Sequence, residues 1–207
     1  MKNHGKLFLI SAASGTGKSS LINTVLSRLE KDSLSVELSI SHTTRLPRKD
    51  EHESKDYFFI NRDSFTVKIK NNFFLEYAKV HDHYYGTSRS FVEEKLASGI
   101  NLILEIDVQG VDQIKQLSLP SQSIFLLPPS LESLEDRLSL RGSNSADSIK
   151  LRLQNAFSEL PKCSTYDHIL INDDFYSCSQ ELIDIIKGEH KSPYNSKIQE
   201  FLDKLLS

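Results

Sequence analysis

The stretch Leu7-Phe8-Leu9-Ile10-Ser11-Ala12-Ala13-Ser14-Gly15-Thr16-Gly17-Lys18-Ser19-Ser20 decides the fold. It opens with an apolar run, Leu7 to Ile10, that reads as a buried strand. Leu21-Ile22-Asn23-Thr24-Val25-Leu26 follows with a helical pattern. A strand, a glycine-rich loop ending in Lys-Ser and then a helix is the context of a phosphate-binding loop. Gly15 and Gly17 let the backbone take angles that a Cβ forbids and come close to the phosphates. The loop N–H groups are then expected to point inward at the positive end of the helix dipole. Lys18 is expected to reach the β- and γ-phosphates of a nucleotide, and the Ser19 hydroxyl to be a Mg2+ ligand. Ala12 stands where the strict pattern has its first glycine. The alternative, a Gly/Ser-rich turn capping an ordinary helix, is disfavoured by the order of strand, loop and helix.

Working outward, the 207 residues suffice for one α/β domain with inserted lobes. A content of 38% hydrophobic and 26% charged residues excludes gross disorder. The net charge of −3 gives no global footprint for nucleic acid, so no nucleic-acid partner is expected, although a local basic cleft is compatible with it. Cys163 and Cys178 form no CxxC or metal-ligand pattern and read as free thiols in a reducing compartment. The sequence carries no signal-peptide or membrane-spanning run, which points to the cytoplasm and to no membrane partner.

Ser35 to Ser41 alternates like a strand, and a polar loop with Arg45 and Arg48 follows. Residues 57 to 86 read as short strands and one helix: Tyr57 to Ile60 a strand, Asp63 a helix N-cap, Phe73 to Val80 a strand, and Tyr84-Tyr85-Gly86 the end of the segment. Ser88 is expected to cap a helix to Ser98 with Gly99 closing it. Ile100 to Ile106 reads as a strand buried on both faces, followed by a helix from about Val111. Further strands are expected at Ser123 to Leu127 and His168 to Ile171, with helices from Ser130 to Leu140 and up to about Leu160. Gly142 to Ser145 reads as a flexible polar break. In the last helix Ile198, Phe201, Leu202, Leu205 and Leu206 share one face. That face is expected to pack on its own domain; the alternative is a homodimer interface. Alternating strands and helices imply a mainly parallel sheet whose ligands sit beyond the carboxyl ends of its strands. The loop, Glu105, Asp107 and Asn172 all fall at such ends.

Arg45 and Arg48 lie three apart, and arginine binds phosphate through paired N–H groups. Tyr57 and Tyr85 can add O–H donors. Arg137 and Arg141 lie four apart on one helical face. For each group an ordinary role exists as well: a solvated turn for the arginine pair, core packing for the tyrosines, a charged surface helix for the later arginines. Glu76, taken alone, reads more readily as a solvated strand residue.

Five segments taken together resemble the guanylate kinase family: the loop above, Ser41-His42-Thr43-Thr44-Arg45-Leu46-Pro47-Arg48, Tyr84-Tyr85-Gly86-Thr87, Leu104-Glu105-Ile106-Asp107-Val108-Gln109-Gly110, and Ile171-Asn172-Asp173-Asp174. They occur in the family's order over residues 6 to 188. The resemblance implies a P-loop three-layer α/β fold with a mainly parallel sheet. It divides the chain into a core (about 1–34, 88–135 and 160–207), an inserted mixed-β lobe for GMP (about 35–87) and a helical lid (about 136–159). It implies transfer of the ATP γ-phosphoryl group to GMP, with Mg2+ as cofactor and dGMP as a further acceptor.

By resemblance, Ala12 to Ser20 with Arg137, Arg141 and Asn172 bind ATP, Asn172 near the adenine. Arg45, Arg48, Tyr57 and Tyr85 hold the GMP phosphate. Glu76 accepts from guanine N1–H and the 2-amino group with Asp107 assisting, and Ser41 and Thr87 touch the carbonyl side. Lys18, Arg45, Arg137, Arg141 and Arg152 stabilise transfer, and Glu105 or Asp107 steers a magnesium-bound water. Asp50 and Ser54 depart from glycines frequent in the family, and Ala12 and Ala13 from Gly and Pro. A guanylate kinase-like binding module and a kinase for another monophosphate are the competing readings. The retained Lys18 and lid arginines count against the first, and the Arg45/Arg48, Glu76 and Thr87 set against the second.

Overall fold

The apolar run at Leu7 becomes β1 (Leu7–Ala12), with Leu7 to Ile10 all buried. The computed structural model describes residues 4–13, 15–80, 82–140, 146–189 and 202, and for the helical residues 138, 140 and 146–152 the backbone alone. After β1 come α1 (Lys18–Lys31), β2 (Val36–Leu38), β3 (His42–Thr43), β4 (Phe58–Phe59), α2 (Arg62–Lys70), β5 (Phe74–Val80) and β6 (His83–Ser88). Then follow α3 (Arg89–Ala97), β7 (Asn101–Glu105), α4 (Val108–Gln116), β8 (Ser121–Leu127), α5 (Leu131–Leu140) and α6 (Ala146–Glu159). A 3-10 turn (Leu160–Thr165), β9 (His168–Ile171) and α7 (Phe175–Lys187) complete the described chain. The architecture is α/β. One five-stranded sheet runs β2-β7-β1-β8-β9, with the β2–β7 and β8–β9 pairings parallel. A separate four-stranded sheet runs β4-β3-β6-β5 and mixes parallel with antiparallel pairs.

The chain divides into two compact units, Met1–Leu9 with Ser35–Ser121, and Ile10–Leu34 with Gln122–Ser207. In the first, the mixed sheet buries one face under α2. Phe65 stacks on Phe74 at 4.4 Å and on Tyr84 at 5.4 Å. His42 sits among Phe58, Phe73 and Phe74 at 4.8, 5.2 and 5.6 Å. Helix α2 is capped by Asn61, whose side chain accepts from the Ser64 N–H at 2.7 Å; Asp63 lies inside the first turn rather than at the cap. Tyr84-Tyr85-Gly86 does not end the segment but forms the middle of β6. Its aromatic run hides the period-two pattern that marks a half-buried strand.

Helix α4 starts at Val108, three residues before the expected Val111, because the Asp107 carboxylate caps the Gly110 N–H at 2.9 Å. Ser88 caps α3, and Gly99 (φ 83°) follows its end as expected. No described helix is long and apolar enough to cross a membrane.

In the second unit Leu21, Ile22, Val25 and Leu29 bury one face of α1. Arg28 ties α1 to α7, donating to Ser179 Oγ at 2.9 Å and Gln180 Oε1 at 2.5 Å and lying over the Tyr176 ring. Strand β9 matches its expected span residue for residue, and Ile124 to Leu127 pair with His168 to Ile171. Cys163 and Cys178 are buried free thiols. Of the expected C-terminal apolar face only Leu202, which is buried, lies within the described residues; Ile198, Phe201, Leu205 and Leu206 lie outside them, as do Gly142 to Ser145.

Candidate functional site

In the second unit the glycine-rich loop is built as a tight turn between β1 and α1. Ala12 ends β1, and the Ala13 carbonyl accepts both the Thr16 hydroxyl (2.7 Å) and the Thr16 N–H (3.2 Å). Gly15 and Gly17 hold φ of 93° and 96°, a region that disfavours any residue with a Cβ. Gly17 is also the N-cap of α1, so no side chain caps the helix from that position. Lys18, Ser19 and Ser20 form its first turn, where the helix dipole favours an anion. Ser14 lies outside the described residues.

Two side chains clamp this loop from behind. Asn172, directly after β9, donates from Nδ2 to the Thr16 carbonyl at 2.7 Å, and Arg137 of α5 donates to the same oxygen at 3.1 Å. A Cβ on Gly17 would meet Asn172 Nδ2 at 2.8 Å. Asn172 is therefore a buried strut of the loop, with one amide hydrogen bond directed at the turn itself. Arg141 lies outside the described residues, and of Arg152 only the backbone, within α6, is described.

In the first unit a second constellation forms on the mixed sheet. Thr87 and Tyr85 lie two apart on β6 and share a face. Phe74 pairs with Ser88, yet Glu76 pairs with Thr87, so a bulge at Leu75 adds one residue to β5. The bulge turns Glu76 onto the Thr87 face. There the Thr87 hydroxyl donates to Glu76 Oε1 at 2.5 Å and lies 3.5 Å from Ser41 Oγ. Glu76 is only 4% exposed. Burial pushes its carboxyl up to about 7, the Thr87 bond works against that rise, and the charge of Asp107 adds to it. The Asp107 oxygens meanwhile accept from the Gly110 N–H and from Gln109 Nε2 (3.0 Å).

Beside them Arg45 lies over the Tyr57 ring at 5.4 Å, and the Tyr57 and Tyr85 rings meet at 6.0 Å. Burial and the charge of Glu105 push the Tyr57 hydroxyl up to about 12, so it remains a donor at any physiological pH. Glu51 joins the arginines. Its carboxylate accepts from Arg45 Nη2 at 2.8 Å and from the Arg48 N–H at 2.8 Å, and Arg48 Nη1 stands 3.6 Å away. Burial opposes the charge on Glu51, but the arginines outweigh it and hold the carboxyl below its ordinary value. Arg45 Nε is buried with no protein acceptor. Two guanidinium groups thus gather on the Glu51 carboxylate and two phenol rings meet beside Arg45, which places in one region the kinds of donor that a phosphate dianion takes.

Sequence reasoning missed Glu51, although a carboxylate three residues after Arg48 in a basic loop is a readable signal. It missed the strut role of Asn172, for which the sequence holds no signal.

A family model described as Guanylate kinase matches residues 4–189. A guanylate kinase of Buchnera aphidicola subsp. Acyrthosiphon pisum is 48% identical over 94% of this chain and 93% of its own length. That of Escherichia coli (strain K12) is 40% identical over 98% of both chains. The crystal structure of guanylate kinase from Anaplasma phagocytophilum superposes with a TM-score of 0.74 at 28% identity, covering 99% of this chain and 96% of that one.

Proposed function

The chain belongs to the guanylate kinase family and is an ATP:GMP phosphotransferase, and from that premise we propose how its residues divide the reaction. The loop from Ala12 to Ser20, with Arg137 and Arg141, holds the phosphates of ATP. Asn172 serves it indirectly, by fixing the Thr16 carbonyl and hence the loop. Arg45, Arg48, Tyr57 and Tyr85 hold the phosphate of GMP, and the orphaned Arg45 Nε is one donor that this phosphate satisfies. Ser41, Thr87 and Glu76 read the base, with Asp107 and Glu105 beside them. In-line transfer then gives ADP and GDP, with Lys18, Arg45, Arg137, Arg141 and Arg152 offsetting the charge spread over the transferred group.

The residues present fit a magnesium ion that arrives with its nucleotide. The Ser19 hydroxyl at the head of α1 is one hard oxygen donor, and Mg2+ takes most of its ligands from phosphates and water. When bound, the ion neutralises phosphate charge; Ser19 orients it. The mixed sheet, running from His42 to Ser88, supports a GMP lobe at about 35–87, and α5 with α6 a lid at about 136–159. GMP and dGMP are the proposed acceptors, and the cytoplasm the proposed compartment, in keeping with two buried free thiols.

The single observation that carries the base-reading role is Glu76 itself. It is a carboxylate only 4% exposed, turned inward by a bulge and oriented by one hydroxyl. Adenine would face it with a lone pair in place of a donor, and a buried polar group left unpaired is what gives large discrimination. Glu76→Gln is expected to lower kcat/KM for GMP by about 10²-fold or more while KM for ATP stays within about twofold. Equal losses for both nucleotides would contradict the assignment.

A further inference from the structure

Strand β5 carries Glu76 on the open edge of its sheet, where a strand has no neighbour to hold its backbone. A helix side chain supplies the missing neighbour. Gln113 of α4 donates from Nε2 to the Tyr77 carbonyl at 2.7 Å and accepts the Tyr77 N–H on Oε1 at 3.1 Å. The amide thus reproduces the two-bond pattern of a paired strand, and does so at the residue immediately after Glu76. One turn earlier on the same helix face stands Gly110. A Cβ there would lie 2.5 Å from Glu76 Oε2 and 3.2 Å from Glu76 Cδ. Oε1 is fixed by Thr87, and Oε2 rests on the bare backbone of α4. The same turn is capped by Asp107, and its helix N-terminus lends partial positive charge next to the carboxylate. Val111 and Ile114, both fully buried, root α4 in the unit's core, so the clamp stands on a rigid element.

We propose that Gln113 and Gly110 are positioning residues for acceptor specificity: α4 clamps the bulged edge of β5 through the Gln113 amide and leaves at Gly110 the space that fixes the Glu76 carboxylate for bidentate reading of a guanine edge. This rests on the reading of Glu76 given above. Neither residue touches substrate; both act through Glu76. A purine that offers N1–H but no 2-amino group, as in IMP, engages one arm of a fixed carboxylate. The ratio of kcat/KM for GMP over IMP therefore reads how firmly the carboxylate is held.

The test measures kcat and KM for GMP, IMP and ATP in the full chain and in Gln113→Met, Gly110→Ala and Glu76→Gln, singly and with Glu76→Gln combined with each of the others. Loss of the two Gln113 bonds is expected to raise KM for GMP about tenfold and to narrow the GMP/IMP ratio by a similar factor, at unchanged KM for ATP. Gly110→Ala is expected to act in the same direction. In the Glu76→Gln background neither substitution should narrow the ratio further. If Gly110→Ala does not fold, Gln113→Met decides alone. A ratio unchanged in Gln113→Met but narrowed in Glu76→Gln overturns the clamp and leaves the base reader standing. A ratio unchanged in Glu76→Gln overturns the base reader itself. A parallel rise in KM for ATP and GMP would mark general loosening and also overturn the clamp.

Discussion

Two buried titratable residues in the first unit work against each other with pH. Glu76 is raised from 4.5 to about 7, chiefly by burial. The unfolded chain therefore binds fewer protons than the folded one between those values, and stability falls as pH rises through that window. The corresponding cost above pH 7 is about 3 kcal/mol, at about 1.4 kcal/mol for each tenfold in proton affinity. His42 runs the other way. Burial among aromatic rings, with Lys68 adding its charge against the nearby Glu53, lowers it from 6.5 to about 4. Its contribution is present above pH 6.5 and is lost as pH falls towards 4. In wild type these two contributions are expected to offset each other between about pH 4.5 and 6.5, because their slopes oppose. In Glu76→Gln the falling slope is absent, so urea melts at pH 4.5 and pH 8 should show the variant gaining on wild type by up to about 3 kcal/mol at the higher pH. An equal difference at both pH values would mean that Glu76 is not held as a buried acid.

At the scale of elements, the loop between β1 and α1 depends on a residue directly after β9, eight strands later in the sequence. The Thr16 carbonyl takes Asn172 at 2.7 Å and Arg137 at 3.1 Å. Asn172→Ala removes the shorter bond and leaves a gap beside Gly17. It is expected to cost about 1–3 kcal/mol of stability and to raise KM for ATP, with KM for GMP unchanged, read from thermal melts and initial rates. An unaltered KM for ATP would show that the loop holds its shape without the strut.

The loop itself was fully legible in sequence, because strand, glycines and helix are local signals. So was β9, a short apolar run bounded by polar residues. Helix α4 was read three residues short because the cap at Asp107 looks like a functional carboxylate, and it serves the helix through the Gly110 N–H. Strand β6 was missed because Tyr84, Tyr85 and Gly86 divide their faces between the Phe65 layer and the Arg45 side, so both faces are occupied and no alternation is visible. Asn172 was placed by its position after a strand, but its partner, 156 residues away, is a tertiary fact that no local pattern contains.

At the scale of the whole molecule, the two constellations proposed to bind nucleotides belong to different compact units, Ser41 to Asp107 in one and Gly15 to Ser20 with Asn172 in the other. Each is expected to be protected by its own ligand. Hydrogen exchange with GMP alone should slow amides of β3, β5 and β6. A non-hydrolysable ATP analogue with Mg2+ alone should slow residues 15–20. Protection of both sets by either ligand would contradict this division. The sequence motifs name most of the proposed site residues, but not Glu51, whose carboxylate ties Arg45 to Arg48. What it could not convey is the bulge at Leu75, because a strand with one extra residue reads like any other until its partner is known. That one residue decides whether Glu76 points with Thr87 or away from it.

The central claim is that Glu76 makes this chain a kinase for guanine nucleotides. The most direct measurement is ADP formation from Mg-ATP with GMP, dGMP, AMP, UMP, CMP or no acceptor. A rate with GMP and dGMP only, lost in Glu76→Gln at unchanged KM for ATP, is the predicted result. Comparable turnover of AMP by the wild-type chain, or an undiminished preference for GMP in Glu76→Gln, would contradict it.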